Sequence, residues 1–177
     1  MSEKILIIST SPRRGGSMER LCDVLEEEIR KNGKQAERLN VNDWNIHPCT
    51  GCDSCRESGE CIQQDDMKVI LEAMQAADAV VFASPIYFYN MSGQMKVLLD
   101  RTYPICGCAG FQKAAFIAAC SDQDIRAFDT AAAGFEEYLC CLDEVKNGGE
   151  VLVPAACDCK KIPEDKLEAV RRLGREL

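Results

Sequence analysis

The sequence predicts an α/β fold, a doubly wound sandwich whose five-stranded, mostly parallel sheet carries helices on both faces. Three observations predict it. Five short apolar runs alternate with stretches of helical periodicity along the chain. The first run, "KILIIS" from Lys4 to Ser9, is continuously apolar, as a strand buried on both faces should be. A loop of glycines and hydroxyl residues, "TSPRRGGS", then joins that strand to the first helix.

The elements follow in order. Met18, Leu21, Cys22, Leu25 and Ile29 recur at helical spacing, so a first helix runs from about Ser17 to Asn32, ended by the glycine of "KNGK". "AERLNV" is a weaker second strand. Residues from about 42 to 64 show no sustained period and form a long loop, a length that in a compact domain usually marks function or disorder, and its density of cysteines points to function. Met67, Ile70, Leu71 and Met74 restore helical spacing behind Asp65 and Asp66, which suit a helix start, and "DAVVFASP" is the third strand. Gly93 to Arg101 reads as helix and "AAFIAAC" as the fourth strand. Ile125, Phe128, Ala132, Phe135 and Leu139 form the apolar stripe of a long helix, and "GGEVLVP" is the fifth strand. Pro163, Glu164 and Asp165 open a last helix that turns Leu167, Val170 and Leu173 inward. With right-handed crossovers, ligands on such a sheet bind beyond the carboxyl ends of the strands, here at the loops after Ser9, Val41, Ser84 and Cys120.

At 177 residues the chain is expected to form a single domain over 1–177. Its 29 acidic and 21 basic side chains give a formal charge of -8, which repels a nucleic-acid backbone. The apolar run in "MSEKILIIST" is too short to span a bilayer and lacks the flanks of a secretory signal, so no membrane or nucleic-acid partner is expected and the location expected is cytoplasmic. The twelve cysteines are therefore expected to be mostly reduced. Cys22, Cys140 and Cys141, on helical stretches, read as small buried hydrophobes.

Two loops carry ligand-binding signals. "STSPRRGGSME" offers the hydroxyls of Ser9, Thr10, Ser11 and Ser17 at a helix N-terminus, which suits a phosphate, although Ser17 as a simple N-cap explains it equally. It has neither a Gly-Lys-Ser/Thr ending nor a G-x-G-x-x-G pattern. "SPIYFYNMSGQMK" sets Tyr87, Phe88 and Tyr89 in succession beyond a central strand, where planar side chains and the N–H groups from Ile86 to Asn90 could meet a planar heterocycle or a second subunit.

With these loops in view, residues 4 to 122 resemble the NADPH-dependent FMN reductase family of flavodoxin-like proteins, in its iron-sulfur flavoprotein branch. The family's "GSPR" loop is matched by Ser11, Pro12 and Arg13, with Thr10 in place of its leading glycine and Ser17-Met18 in place of its usual Asn-Thr. Its "SPxYF" loop is matched from Ser84 to Phe88, and its "S-x-Q-M-K…D-R" helix by Ser92, Gln94, Met95, Lys96, Asp100 and Arg101. The resemblance implies strand order 2-1-3-4-5 and an FMN held by Ser9, Ser11, Arg13, Ser17 and Met18 at its phosphate. It implies that Pro85, Ile86, Tyr87, Phe88 and Asn90 line the ring, with Ser121 and Asp122 on its other side. NAD(P)H as co-substrate and a homodimer or homotetramer are also implied. No side chain need act as acid or base, since the flavin N5 carries the chemistry.

The run "CTGCDSCRESGEC" places Cys49, Cys52, Cys55 and Cys61 at C-x2-C-x2-C-x5-C spacing. Three closely linked thiolates with a fourth nearby suit a [4Fe-4S] cluster. Redox-sensitive free thiols and zinc stay open as alternatives, zinc being the weakest because structural zinc normally draws on two separated pairs. His47 reads as a bystander. The C-x-C pairs Cys106/Cys108 and Cys157/Cys159 match no recognised cluster or zinc spacing. Three functions remain open at this point. One is an FMN oxidoreductase fed by NAD(P)H or a reduced protein and acting on a quinone, flavin or ferredoxin. The second is a non-enzymatic carrier exchanging electrons with ferredoxin-like partners, and the third a thiol-based redox sensor.

Overall fold

The computed structural model of the chain describes residues 2–177. Its strands are β1 (Lys4–Ser9), β2 (Gln35–Asn40), β3 (Ala79–Tyr87), β4 (Asn90–Met91), β5 (Lys113–Ala119) and β6 (Lys146–Val153). Its α-helices are α1 (Ser17–Lys31), α2 (Ser54–Ser58), α3 (Met67–Gln75), α4 (Gly93–Arg101), α5 (Asp129–Cys140) and α6 (Glu164–Glu176). Five strands pair in parallel in the order β2-β1-β3-β5-β6. That is the expected 2-1-3-4-5 once β4 is set aside. This two-residue strand, absent from the expectation, folds back antiparallel on the end of β3 through Ile86–Met91 and Tyr87–Asn90.

The sheet separates two cores. Leu6 and Ile8 of β1, Val80 and Phe82 of β3, and Phe116 of β5 face α3, α4 and α5. Ile5 and Ile7, Val81 and Ile117 face α1 and α6. All four apolar residues of β1 from Ile5 to Ile8 are fully buried, which is why the run lacks alternation. On the α5 side, Phe116 and Phe135 stack at a centroid distance of 4.9 Å, with Phe82 tilted against Phe135 at 5.7 Å. Among the described residues no helix is long and apolar enough to cross a membrane.

Several expectations need correction. Ser17 does not cap α1: Gly16 holds the N-cap position, and Ser17 is the first helical residue, its hydroxyl donating to the Ala156 carbonyl at 2.7 Å. Ile125 lies in a 3-10 turn ahead of α5 and is half exposed, so the apolar stripe starts at Phe128. Cys140 and Cys141 are exposed at the C-terminal end of α5, while Cys22 is fully buried and its thiol is pushed up to about 12 by that burial.

The carboxyl edge of the sheet is fixed by hydroxyl groups. The Thr10 N–H donates to the Ala83 carbonyl at 2.9 Å and its hydroxyl pairs with that of Ser92 at 3.0 Å. The Ser92 N–H donates to Ser84 Oγ at 3.0 Å, and Ser92 Oγ accepts from the Met95 N–H at 3.2 Å to cap α4. Thr10, Ser84 and Ser92 are fully buried, so each lost bond strands a polar partner away from water. We expect Ser92→Ala to lower the unfolding free energy by about 1–3 kcal/mol, loss of the cap adding to the stranded groups. Urea denaturation measures this, and an unchanged midpoint would contradict it.

Candidate functional site

The loop from Thr10 to Gly16 leaves the sheet edge between β1 and α1. Ser11 is buried and its hydroxyl accepts from the Arg13 N–H at 3.3 Å, while the Arg13 side chain is exposed. Gly15 takes φ 66°, a conformation that costs glycine little, and α1 begins with no side-chain cap. Its first N–H groups are thus available to an anion. Ser9 and Met18 are buried: Ser9 sits against the Cys22 thiol, and Met18 belongs to the core under α1. Their side chains therefore shape the loop from below.

Beyond β3 the chain reverses sharply. Phe88 and Tyr89 take φ 49° and 62°, a left-handed pair that bulky residues rarely adopt, and β4 then returns along β3. Ile86 is turned into the core and Pro85 is half-buried. Tyr87 is 39% exposed, Tyr89 61% and Phe88 completely. An aromatic ring fully in water at the tip of a strained turn is costly unless something covers it.

The turn after β5 completes the edge. The Asp122 carbonyl accepts from the Ala155 N–H and the Cys120 carbonyl from the Ala156 N–H, both at 2.7 Å. Ala156 also receives the Ser17 hydroxyl, so the loops after β1, β5 and β6 are tied together, as Thr10 ties β1 to β3. Ser121 and Asp122 are exposed on this turn. The expected ring-facing and phosphate-facing residues therefore lie on mutually bonded loops. None of them lines the clefts of 790, 640 and 400 Å³ found elsewhere on the molecule.

The cysteine loop is anchored by a buried ion pair that sequence reading missed. Arg101, at the end of α4, donates from Nη1 and Nη2 to the two Asp65 carboxylate oxygens at 2.6 and 2.8 Å. Both side chains are 1% exposed. Nη1 also donates to the His47 carbonyl at 2.6 Å, while Asp65 accepts from the N–H groups of His47 and Met67. The Arg101 hydrogen bonds hold the Asp65 carboxyl well below the usual carboxylate range. Asp66 and Asn45 exchange backbone and side-chain bonds, and Gln63 reaches the Pro48 carbonyl. The two ends of the loop are closed together, and the thiols lie on the segment between them. The signals for this anchor were present as Asp65 at a helix start and Arg101 in the α4 motif, but nothing in sequence pairs them.

Between those ends, Gly51, Asp53 and Gly59 all have positive φ and bend the chain around the single turn of α2. Cys49 and Cys52 are exposed, and Cys55 and Cys61 half-buried. The Gly51 N–H points at the Cys49 sulfur at 3.4 Å. The Ser54 hydroxyl and N–H and the Thr50 hydroxyl pull the Cys52 thiol down, whereas burial and then the charges of Cys61, Cys52 and Cys49 push Cys55 up. His47 Nδ1 lies 3.3 Å from Asp65, occupied away from the thiols. Cys106, Cys108, Cys157 and Cys159 are free thiols.

The sequence pattern of the NADPH-dependent FMN reductase family matches residues 3–131. The chain belongs to that family. An iron-sulfur flavoprotein of Archaeoglobus fulgidus is 37% identical over 101 residues, covering 57% of this chain and 46% of its relative. The chain thus spans about half the length of the curated relatives it matches. Among solved structures, an azoreductase from Bacillus anthracis superposes with a TM-score of 0.78 at 12% identity, over 99% of this chain and all of the other. An NAD(P)H:quinone oxidoreductase from Methanothermobacter marburgensis gives 0.78 at 17%, over 99% and 96%. At such identities these two likenesses establish the flavodoxin-like fold.

Against the background of this FMN reductase family, the donor set of the cysteine loop can be tested. A single zinc ion needs four donors about 2.3 Å or less from one point. Among the described residues no three His, Cys, Asp or Glu side chains converge in that way. A cluster of several irons takes thiolates around its outside, and four free thiols around one short turn, with Cys55 under the charge of the other three, fit that chemistry.

Replacing Asp65 by Asn leaves Arg101 buried and unpaired and should cost about 3–5 kcal/mol in a denaturant titration at neutral pH. Because the folded carboxyl is depressed, its stabilisation is complete above the ordinary carboxylate value, about 4, and is lost as pH falls below that toward the folded value. The gap between wild type and Asp65→Asn should therefore be constant from pH 7 to 5 and narrow below about pH 4. A gap independent of pH down to acid unfolding would contradict this.

Proposed function

We propose that the whole chain acts as one FMN-binding oxidoreductase unit, moving electrons from NAD(P)H or a reduced protein to a quinone, a flavin or a protein acceptor. The observation that carries this reading is the joining of an uncapped helix N-terminus and an aromatic turn at one sheet edge by the Thr10, Ser84 and Ser92 hydroxyls. In this reading Ser11, Arg13 and the first N–H groups of α1, that of Ser17 among them because its hydroxyl is committed to Ala156, hold the FMN phosphate, with Ser9 and Met18 supporting the loop from beneath. Pro85, Tyr87, Phe88 and Asn90 line the ring together with the backbone of Ile86, whose side chain belongs to the core, and Ser121 and Asp122 close its other side. Bound FMN supplies the capacity to take electrons in pairs and release them singly; the chain's residues bind, orient and shield it.

Cys49, Cys52, Cys55 and Cys61 hold a [4Fe-4S] cluster in the same reading. The active form is a homo-oligomer in the same reading, which the full exposure of Phe88 supports, since a second copy would cover that ring. The twelve free thiols suit a reducing, cytoplasmic setting. A second reading, an electron carrier between ferredoxin-like proteins, is favoured by the exposure of Cys49 and Cys52, which leaves the cluster loop accessible to a protein partner.

The test is NADH or NADPH oxidation by FMN-loaded protein with a quinone, free FMN or ferricyanide as acceptor. Turnover supports the reductase. Absence of turnover with every acceptor, together with reduction by a reduced ferredoxin, leaves the carrier. Arg13→Ala removes one charge-assisted phosphate contact and should weaken FMN binding at least about tenfold in a fluorescence titration. An unchanged Kd would remove Arg13 from the phosphate site.

A further inference from the structure

Arg101 uses only part of its hydrogen-bonding capacity. It is 2% exposed, and its two terminal nitrogens are committed to Asp65 and the His47 carbonyl. Its third nitrogen, Nε, is the single buried side-chain nitrogen or oxygen among the described residues without a partner. A buried guanidinium N–H left unpaired costs free energy that a native fold rarely leaves uncompensated. The two-point grip of Asp65 fixes the guanidinium plane, so the Nε–H cannot rotate to seek another acceptor.

Cys61 lies on the wall of the same 790 Å³ cleft as Arg101 and Asp65. After that of Asp65, the charge of Cys61 is the next that favours the charged guanidinium. Cys61 is also the last of the four thiols, separated from Cys55 by five residues and past the turn of α2 at Gly59. Its position is thus the least constrained by the C-x2-C spacing of the others.

We propose that Arg101 is a positioning residue for the cysteine loop: its Nε–H donates to the Cys61 sulfur, holding that thiolate in place as the fourth ligand and favouring the reduced, more negative cluster. The inference rests on the cluster reading of the four thiols. Lysine could keep the charge beside Asp65 but has no planar fork to aim a third N–H at sulfur. Hydrogen bonds to ligand sulfurs are among the features that set cluster potentials.

The experiment has two readouts. In the chain before iron and sulfide are added, the Arg101 Nε–H resonance is followed by NMR in wild type and in Cys61→Ala. A slowly exchanging signal that shifts or speeds its exchange in Cys61→Ala supports the contact; indifference to Cys61→Ala overturns it, whether or not any other variant folds. After anaerobic loading with iron and sulfide, the midpoint potential of Arg101→Lys is compared with wild type, with circular dichroism as the check on folding. The expected result is about a tenfold loss in the reduction equilibrium, a fall of about 59 mV for one electron. A less stable Arg101→Lys protein with an unchanged potential makes Arg101 merely structural and overturns the proposal. If metal analysis finds no iron or sulfide in wild type while the Nε–H contact is intact, the cluster reading has failed and the ligand-positioning role falls with it. That outcome is told apart from an unchanged potential by the metal content alone.

Discussion

Three buried hydroxyls, on Thr10, Ser84 and Ser92, set the geometry of the sheet edge on which everything else is arranged. They join the end of β1, the end of β3 and the start of α4 at one point. Because none can reach water, each requires the other two in place. The consequence is steric as well as energetic. With Ser84 held to Ser92, β3 overruns the sheet, and only a short stretch of chain is left to return to α4. The reversal falls on Phe88 and Tyr89, which must take left-handed backbone and present their rings outward. Local strain at these two residues is thus sustained by a rigid base, a combination common where a ligand or partner is gripped.

A second fixed point, the Arg101–Asp65 pair, does for the cysteine loop what the hydroxyls do for the aromatic turn. Taking both charges out of water is expensive, and a hydrophobic pair of similar shape could serve stability alone. What an ion pair adds here is connectivity: the same guanidinium also binds the His47 carbonyl, and the same carboxylate binds the N–H groups of His47 and Met67. One charged contact therefore closes both ends of the loop that carries the four thiols. Since Arg101 terminates the helix that Ser92 begins, α4 spans the two fixed points and relates the thiol loop to the aromatic turn.

The parts legible in sequence are those where one pattern dominates. β1 was readable because burial on both faces removes alternation, and α4 because the residues from Ser92 to Arg101 follow the helix motif of the family that the sequence resembles. The order of the five parallel strands came from the resemblance and holds in the fold. β4 was invisible, since two residues carry no period and their pairing depends on the strained turn before them. Ser17 has the residue type of an N-cap but is drawn into α1 by a distant carbonyl, that of Ala156, 139 positions away. Cys140 and Cys141 follow the apolar stripe of α5 yet fall at its exposed end, where helical periodicity no longer reports burial. The candidate site divides in the same way: its residue types were evident, while the contacts that tie its loops together are long-range and have no local signature.

The reading to be tested has an FMN at the Ser92 end of α4 and an iron-sulfur cluster beside its Arg101 end, each placed by its own anchor. The direct test is the visible spectrum of protein purified without oxygen, with assays of FMN, iron and inorganic sulfide on the same sample. The account predicts bound FMN together with iron and sulfide in equal amounts. Protein that keeps its FMN but contains neither iron nor sulfide, even after both are supplied anaerobically, would contradict it.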